Sequence, residues 1–182
     1  MLEASLVTSF GYGLVVERQI NISAFKIYFV ELKELNDKDI PLMVAITAKR
    51  DRSENAAKPP EADELAQAFA SGKKAVGLME SGKNVGYYVF DPVRGWARGS
   101  EGVDLCEIHV RKDLRGKGYG TAMLNDLVKR AKKSRKSAIC PFVRQMNLEA
   151  FRFYSENGFY VTGFLADFHG KGEHAVTMEK IV

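Results

Sequence analysis

Cysteine is scarce in this chain: Cys106 and Cys140 are the only two among 182 residues, and both lie in apolar runs that read as strands. Two is too few for a disulfide framework, so free thiols in a reducing cytoplasm are the expectation. Charge of one sign is not in large excess either. Lys and Arg number 27 against 23 Asp and Glu, a formal net charge of +4, which argues against nucleic acid as the main partner. No apolar run approaches the ~20 residues of a membrane span, and no basic region precedes an apolar one near the start. A soluble cytoplasmic protein without a metal is therefore expected. Repeats and low-complexity tracts are also missing, and the length suits one domain able to bury roughly 70% of its unfolded surface.

What is present is an interleaving of strand and helix patterns. Residues 1–24 break around Ser9-Phe10-Gly11-Tyr12-Gly13 and read as an added arm or hairpin, and residues 25–182 read as a single domain. Phe25, Ile27 and Phe29 alternate with Tyr28, Val30 and Leu32 in a first strand, and Asn36-Asp37 opens a helix with Pro41 in its first turns. A charged loop at 51–60 leads to a helix from Glu61 to Ala70, stopped by Gly72. A hairpin follows around Ser81-Gly82, then a loop at 91–103. Strand Leu105–Val110, helix Thr121–Ser134, strand Ala138–Val143, helix Asn147–Asn157 and two last strands complete the order β-α-α-β-β-β-α-β-α-β-β, an α/β class. Pro141 sits inside a strand, where its missing N–H requires an edge or a break in pairing.

The chemistry concentrates in Arg115-Gly116-Lys117-Gly118-Tyr119-Gly120, placed between a strand and an amphipathic helix. Glycines there let backbone N–H groups close on a diphosphate at the start of a helix, and Arg115 is placed to add a charge-assisted contact. A dinucleotide motif would need glycine at 121 or 123, where Thr121 and Met123 stand; a P-loop would need Ser or Thr where Gly118 stands. A glycine-rich turn with no ligand is the plain alternative. About thirty residues on, Asn147 reads as a helix N-cap, with Ala150, Phe151 and Tyr154 on the same helical face. Phe151 reads as a core aromatic; Tyr154 differs, because a phenol in a groove needs a partner for its hydroxyl.

R-x-x-G-x-G followed by N-x-x-A-x-x-F-Y-x-x-x-G-F, from Arg115 to Phe159, resembles the GNAT superfamily of N-acetyltransferases. The resemblance implies acetyl-CoA as co-substrate, no metal, and a mixed twisted sheet splayed between its fourth and fifth strands. It implies that Ile108, His109 and Val110 bind the pantetheine arm and the acetyl oxygen through their backbone, and that Arg115 to Thr121 cradle the diphosphate. Asn147 would hydrogen-bond the pantetheine, and Tyr154 would be the general acid for the leaving thiolate.

The general base is open between two carboxylates and water. Without a bulge, Asp104 shares a strand face with Cys106, Ile108 and Val110; with one, Glu107 takes its place. His109, His169 and His174 are weaker alternatives. Asp91, Glu101, Asp104 and Glu107 would draw a cationic acceptor, with Trp96, Phe164 and Phe168 as an apolar wall. The expected acceptor is an amine on a small molecule or a protein, and a homodimer is left open. The basic run Lys129 to Lys136 reads as a solvated helix face, with a contact to the coenzyme 3′-phosphate or nucleic acid as its functional options. A non-catalytic module that senses acyl-CoA or binds nucleic acid is the competing class.

Overall fold

The computed structural model describes residues 4–9, 15–23, 26–48, 60–93, 95 and 101–182. Trp96, Phe25 and the charged loop at 51–59 lie outside them. In chain order the elements are β1 (Ala4–Ser9), β2 (Val15–Ser23), β3 (Lys26–Leu35), α1 (Ile40–Ala48), α2 (Ala62–Ala70), β4 (Lys74–Glu80), β5 (Lys83–Asp91), β6 (Gly102–Val110), α3 (Tyr119–Lys133), β7 (Ala138–Arg144), α4 (Leu148–Glu156), β8 (Tyr160–Leu165) and β9 (Ala175–Ile181).

Local signals set most boundaries. Asn36 Oδ1 accepts from Lys38 N–H while Asp39 accepts from Asn36 N–H, closing the turn that enters α1. Ser81 and Gly82 both hold positive φ, 50° and 76°, the conformation that joins two antiparallel strands through two residues. α4 starts where Asn147 Oδ1 takes the N–H of Ala150 at 3.1 Å and stops at Gly158, φ 82°.

Among the described residues the strands form one sheet in the order β1-β2-β3-β4-β5-β6-β7-β9-β8. Only β6 and β7 run parallel, with α3 as their crossover. Their ladder pairs Gly102 with Ala138 through Leu105 with Pro141 and ends there. Pro141 thus closes the parallel ladder, and beyond it β6 and β7 part. Not counting β1 and β2, these are the fourth and fifth strands, where the expected splay lies.

Each face of the sheet buries its own core. On one face α3 and α4 cover Val76, Tyr88, Leu105 and Ile139; on the other α1 and α2 cover Ala75, Tyr87 and Val89. α3 is held down by a polar clasp as well as by Leu124 and Leu127. The buried Tyr88 hydroxyl donates to Asp126, which also accepts from Arg130 Nε at 2.7 Å, and Arg130 reaches Glu34 at 2.9 Å.

The strand alternation of β6 is broken by a bulge. Val89 pairs with Glu107 but Phe90 pairs with Leu105, so Cys106 is the extra residue. The unbulged reading of β6, which grouped Asp104 with Ile108 and Val110, is corrected by this register. Val103, Leu105, Ile108 and Val110 face α3 and α4; Asp104, opposite Asp91, shares the other face with Glu107, opposite Val89.

Candidate functional site

A cleft of about 330 Å³ opens between the end of β6, the start of α3 and the inner side of α4. Its floor is Ile108 and Val110, whose strand has lost its parallel neighbour by this point. Backbone groups that would otherwise pair across the sheet are thereby turned toward the cleft.

The glycine loop forms the second wall. Gly116 and Gly118 hold φ of 73° and 84°, and Gly118 caps α3. A side chain at either would be strained, and at 116 a Cβ would meet nothing, so the space beside it stays open. The first turn of α3 has N–H groups with no intrahelical acceptor, and they carry the positive end of the helix dipole. Gly120 has a different task. A Cβ there would come 2.9 Å from the Phe153 ring, so this glycine lets α4 lie close against α3. Tyr119 and Thr121 also line the cleft; Lys117 does not.

α4 supplies the third wall. Asn147 spends its carbonyl oxygen on the helix cap, so its NH₂ donors are what it can offer a ligand. Tyr154 is 6% exposed, packed edge-on to Phe159 with centroids 5.3 Å apart. Burial drives its phenol pKa well above the usual tyrosine value, so it stays protonated at any physiological pH. Phe151, read as a core aromatic, is 37% exposed instead, and Phe153 is the ring that lines the cleft and packs on the core. A short helix between two packed surfaces rotates by whatever angle its largest contact demands.

His109 links the two sides of the sheet. It lines the cleft and also a small recess with Ile46 and Thr47 of α1. Its Nε2 lies 3.3 Å from Glu107 Oε2, and the Tyr87 hydroxyl donates to the same oxygen at 3.3 Å. The Tyr87 and His109 rings stand 5.1 Å apart. Glu107 is therefore held from two directions where β6 and β7 have parted. Asp104 sits lower, where the ladder is still closed against Cys140. Burial raises the Cys106 thiol pKa to about 11, so the thiol stays protonated at neutral pH.

The remaining candidates lie on or near the last loop. Phe142, which sequence reading passed over, stacks on Phe168 with centroids 4.8 Å apart and planes 10° off parallel. Phe164 packs against His174, whose Nδ1 accepts from Asp167 N–H, so that histidine braces the β8–β9 loop. His169 has its pKa lowered by burial and by Arg144. Glu101 lies exposed before β6, its carbonyl taken by Ser137. The basic run ends α3 about 20 Å from the glycine loop, a distance set by 15 residues of helix.

Comparison with known proteins agrees with this architecture. Residues 43–159 match the model of the acetyltransferase (GNAT) family. An uncharacterised N-acetyltransferase of Methanocaldococcus jannaschii is 35% identical over 82 residues, covering 43% of this chain. The match spans 35% of that relative's length. Among solved structures, Ard1 from Thermoplasma volcanium superposes with a TM-score of 0.69 at 21% identity, covering 84% of this chain and 97% of that one. The ribosomal-protein-S18-alanine N-acetyltransferase of Escherichia coli gives 0.69 at 20%, covering 84% and 94%. yncA from Salmonella typhimurium, solved with its cofactor acetyl-CoA, gives 0.62 at 19%, covering 84% and 93%. At these identities the structural likenesses speak for the fold alone. With the family model matching residues 43–159 and the cleft built from that same stretch, the chain belongs to the acetyltransferase (GNAT) family.

Proposed function

We propose that the protein transfers an acetyl group from acetyl-CoA to a primary amine, directly, with both bound at once. The observation that carries this reading is one cleft lined both by a glycine-rich helix N-terminus and by a buried phenol. The first suits a diphosphate, and the second puts a phenolic O–H where a departing thiolate needs a donor. When bound, the coenzyme supplies an activated thioester.

The chain's own groups divide the remaining work. Amides at the start of α3, with Arg115, hold the diphosphate, and the NH₂ of Asn147 donates to the pantetheine arm. Backbone groups of Ile108 and Val110 orient the acyl end. Tyr154 keeps its proton until the thiolate forms and then donates it. On the opposite face Glu107 is the base for the acceptor ammonium, kept in place by Tyr87 and His109. Asp104 on β6 and Asp91 opposite it on β5, about 7 Å along the sheet, add negative charge that attracts the amine.

The ribosomal-protein-alanine acetyltransferase among the similar structures acts on a protein. The exposed Phe168, 42% accessible on its Phe142 stack, offers an acceptor chain an apolar ledge. A protein N-terminus is therefore the first acceptor class to assay, beside small amines. The test is amine-dependent release of free thiol from acetyl-CoA. Tyr154→Phe should lower kcat roughly 100-fold with little change in the KM for acetyl-CoA. An unchanged kcat would remove Tyr154 from the acid role.

A further inference from the structure

Two carboxylates, Glu149 and Glu156, line the cleft with the wrong sign for a diphosphate, and Glu149 is the one that meets the arginine of the glycine loop. Glu149, in the first turn of α4, lines the cleft, and its carboxylate oxygens lie 3.3 and 3.4 Å from an Arg115 terminal nitrogen. Arg115 Nε reaches the Val110 carbonyl at 3.5 Å, so its side chain extends from the end of β6 to the start of α4. The one arginine beside the glycine loop is thus engaged by a carboxylate of the same chain.

As a prop for the fold this pair adds little. Glu149 is 75% exposed and Arg115 37%, and ion pairs in water contribute weakly. Its effect falls on ligand binding. A diphosphate seated on the first turn of α3 would compete with Glu149 for the guanidinium, and it would also meet the carboxylate's own charge. Both effects lower affinity for coenzyme, loaded or spent.

We infer that Glu149 is a displaceable counter-ion for Arg115: it holds the arginine at the cleft mouth until a diphosphate takes its place, and it returns to favour coenzyme departure. Removing its charge therefore tightens coenzyme binding, whereas removing an ordinary binding residue would weaken it. The inference rests on the assignment of this cleft to acetyl-CoA.

The test measures dissociation constants of acetyl-CoA by calorimetry for the native protein, Glu149→Gln, Arg115→Gln and the double variant. Glu149→Gln should bind acetyl-CoA roughly fivefold more tightly at low salt, with the gain shrinking as salt is added. In the Arg115→Gln background the gain should be smaller than in the native protein, because no guanidinium remains to release and only the carboxylate's own repulsion is removed. S-acetylpantetheine, which has no phosphate, should bind the variant no better than the native protein. Binding of acetyl-CoA by Glu149→Gln equal to or weaker than native overturns the inference. So does an equal gain for S-acetylpantetheine, since that would be a change of cleft shape. If none of the four proteins binds acetyl-CoA, the coenzyme assignment itself fails, an outcome distinct from these two.

Discussion

Single residues in the cleft do different physical work even when they share a motif. Gly116 and Gly118 are required by backbone conformation, whereas Gly120 is required by the Phe153 ring 2.9 Å from where its Cβ would stand. Gly120→Ala should therefore act as overpacking between α3 and α4. We expect it to lower stability by about 1–3 kcal/mol, read as a drop of several degrees in Tm, and to weaken acetyl-CoA binding in the same preparation. An unshifted Tm would mean that Phe153 moves aside at no cost. Tyr154 stood out because a phenol on a helix face beside a cap needs a partner, but Phe151, read as a core aromatic, is exposed, and Phe153, which lines the cleft, was not singled out. Glu149 gave no signal at all, since an acidic residue in a first helical turn looks like an ordinary complement to the helix dipole.

At the scale of elements, the position of α3 decides where its glycine-rich end points. Hydrophobic periodicity predicts its buried stripe but says nothing of the Tyr88–Asp126–Arg130–Glu34 clasp, whose members come from β5, α3 and β3. Asp126→Ala would leave a buried phenol and a guanidinium without their shared acceptor. The expected cost is about 2–3 kcal/mol in urea unfolding, against about 1 kcal/mol for Tyr88→Phe. Equal, small costs for both would show that the clasp does not hold the helix. The bulge at Cys106 is the other element-scale decision. One extra residue in β6 takes Asp104 out of the phase of Ile108 and brings it onto the face of Glu107. No residue in that segment announces a bulge, because its cause is the pairing with β5.

At the scale of the whole molecule, three acids shielded from solvent shape the response to alkali among the described residues. Cys106, Tyr88 and Tyr154 all have pKa values raised in the fold, each chiefly by burial. Below about pH 9 all three are protonated both folded and unfolded, and they add no pH dependence. As pH climbs, the unfolded chain releases these protons first, so stability falls. The Cys106 part of that fall begins near its ordinary value of 9.0 and ends once pH passes about 11. Urea midpoints from pH 8 to 11 should drop more steeply for the native protein than for Cys106→Ala. Parallel curves would rule out the thiol as a contributor. The basic end of α3 belongs to this scale too: its charges complete the helix dipole at the end opposite to the cleft.

The sequence alone determined the order of strands and helices from β3 onward, the glycine-rich entry to α3 and the N-cap at Asn147, because each depends on local periodicity or on a residue type that only one conformation suits. It also placed Pro141 where a ladder must stop. Tertiary structure alone decided that Glu107 is gripped by Tyr87 and His109. It also decided that Arg115 meets Glu149, 34 residues away. Those contacts join segments distant along the chain, and their geometry follows from sheet register and helix packing, which no local pattern encodes.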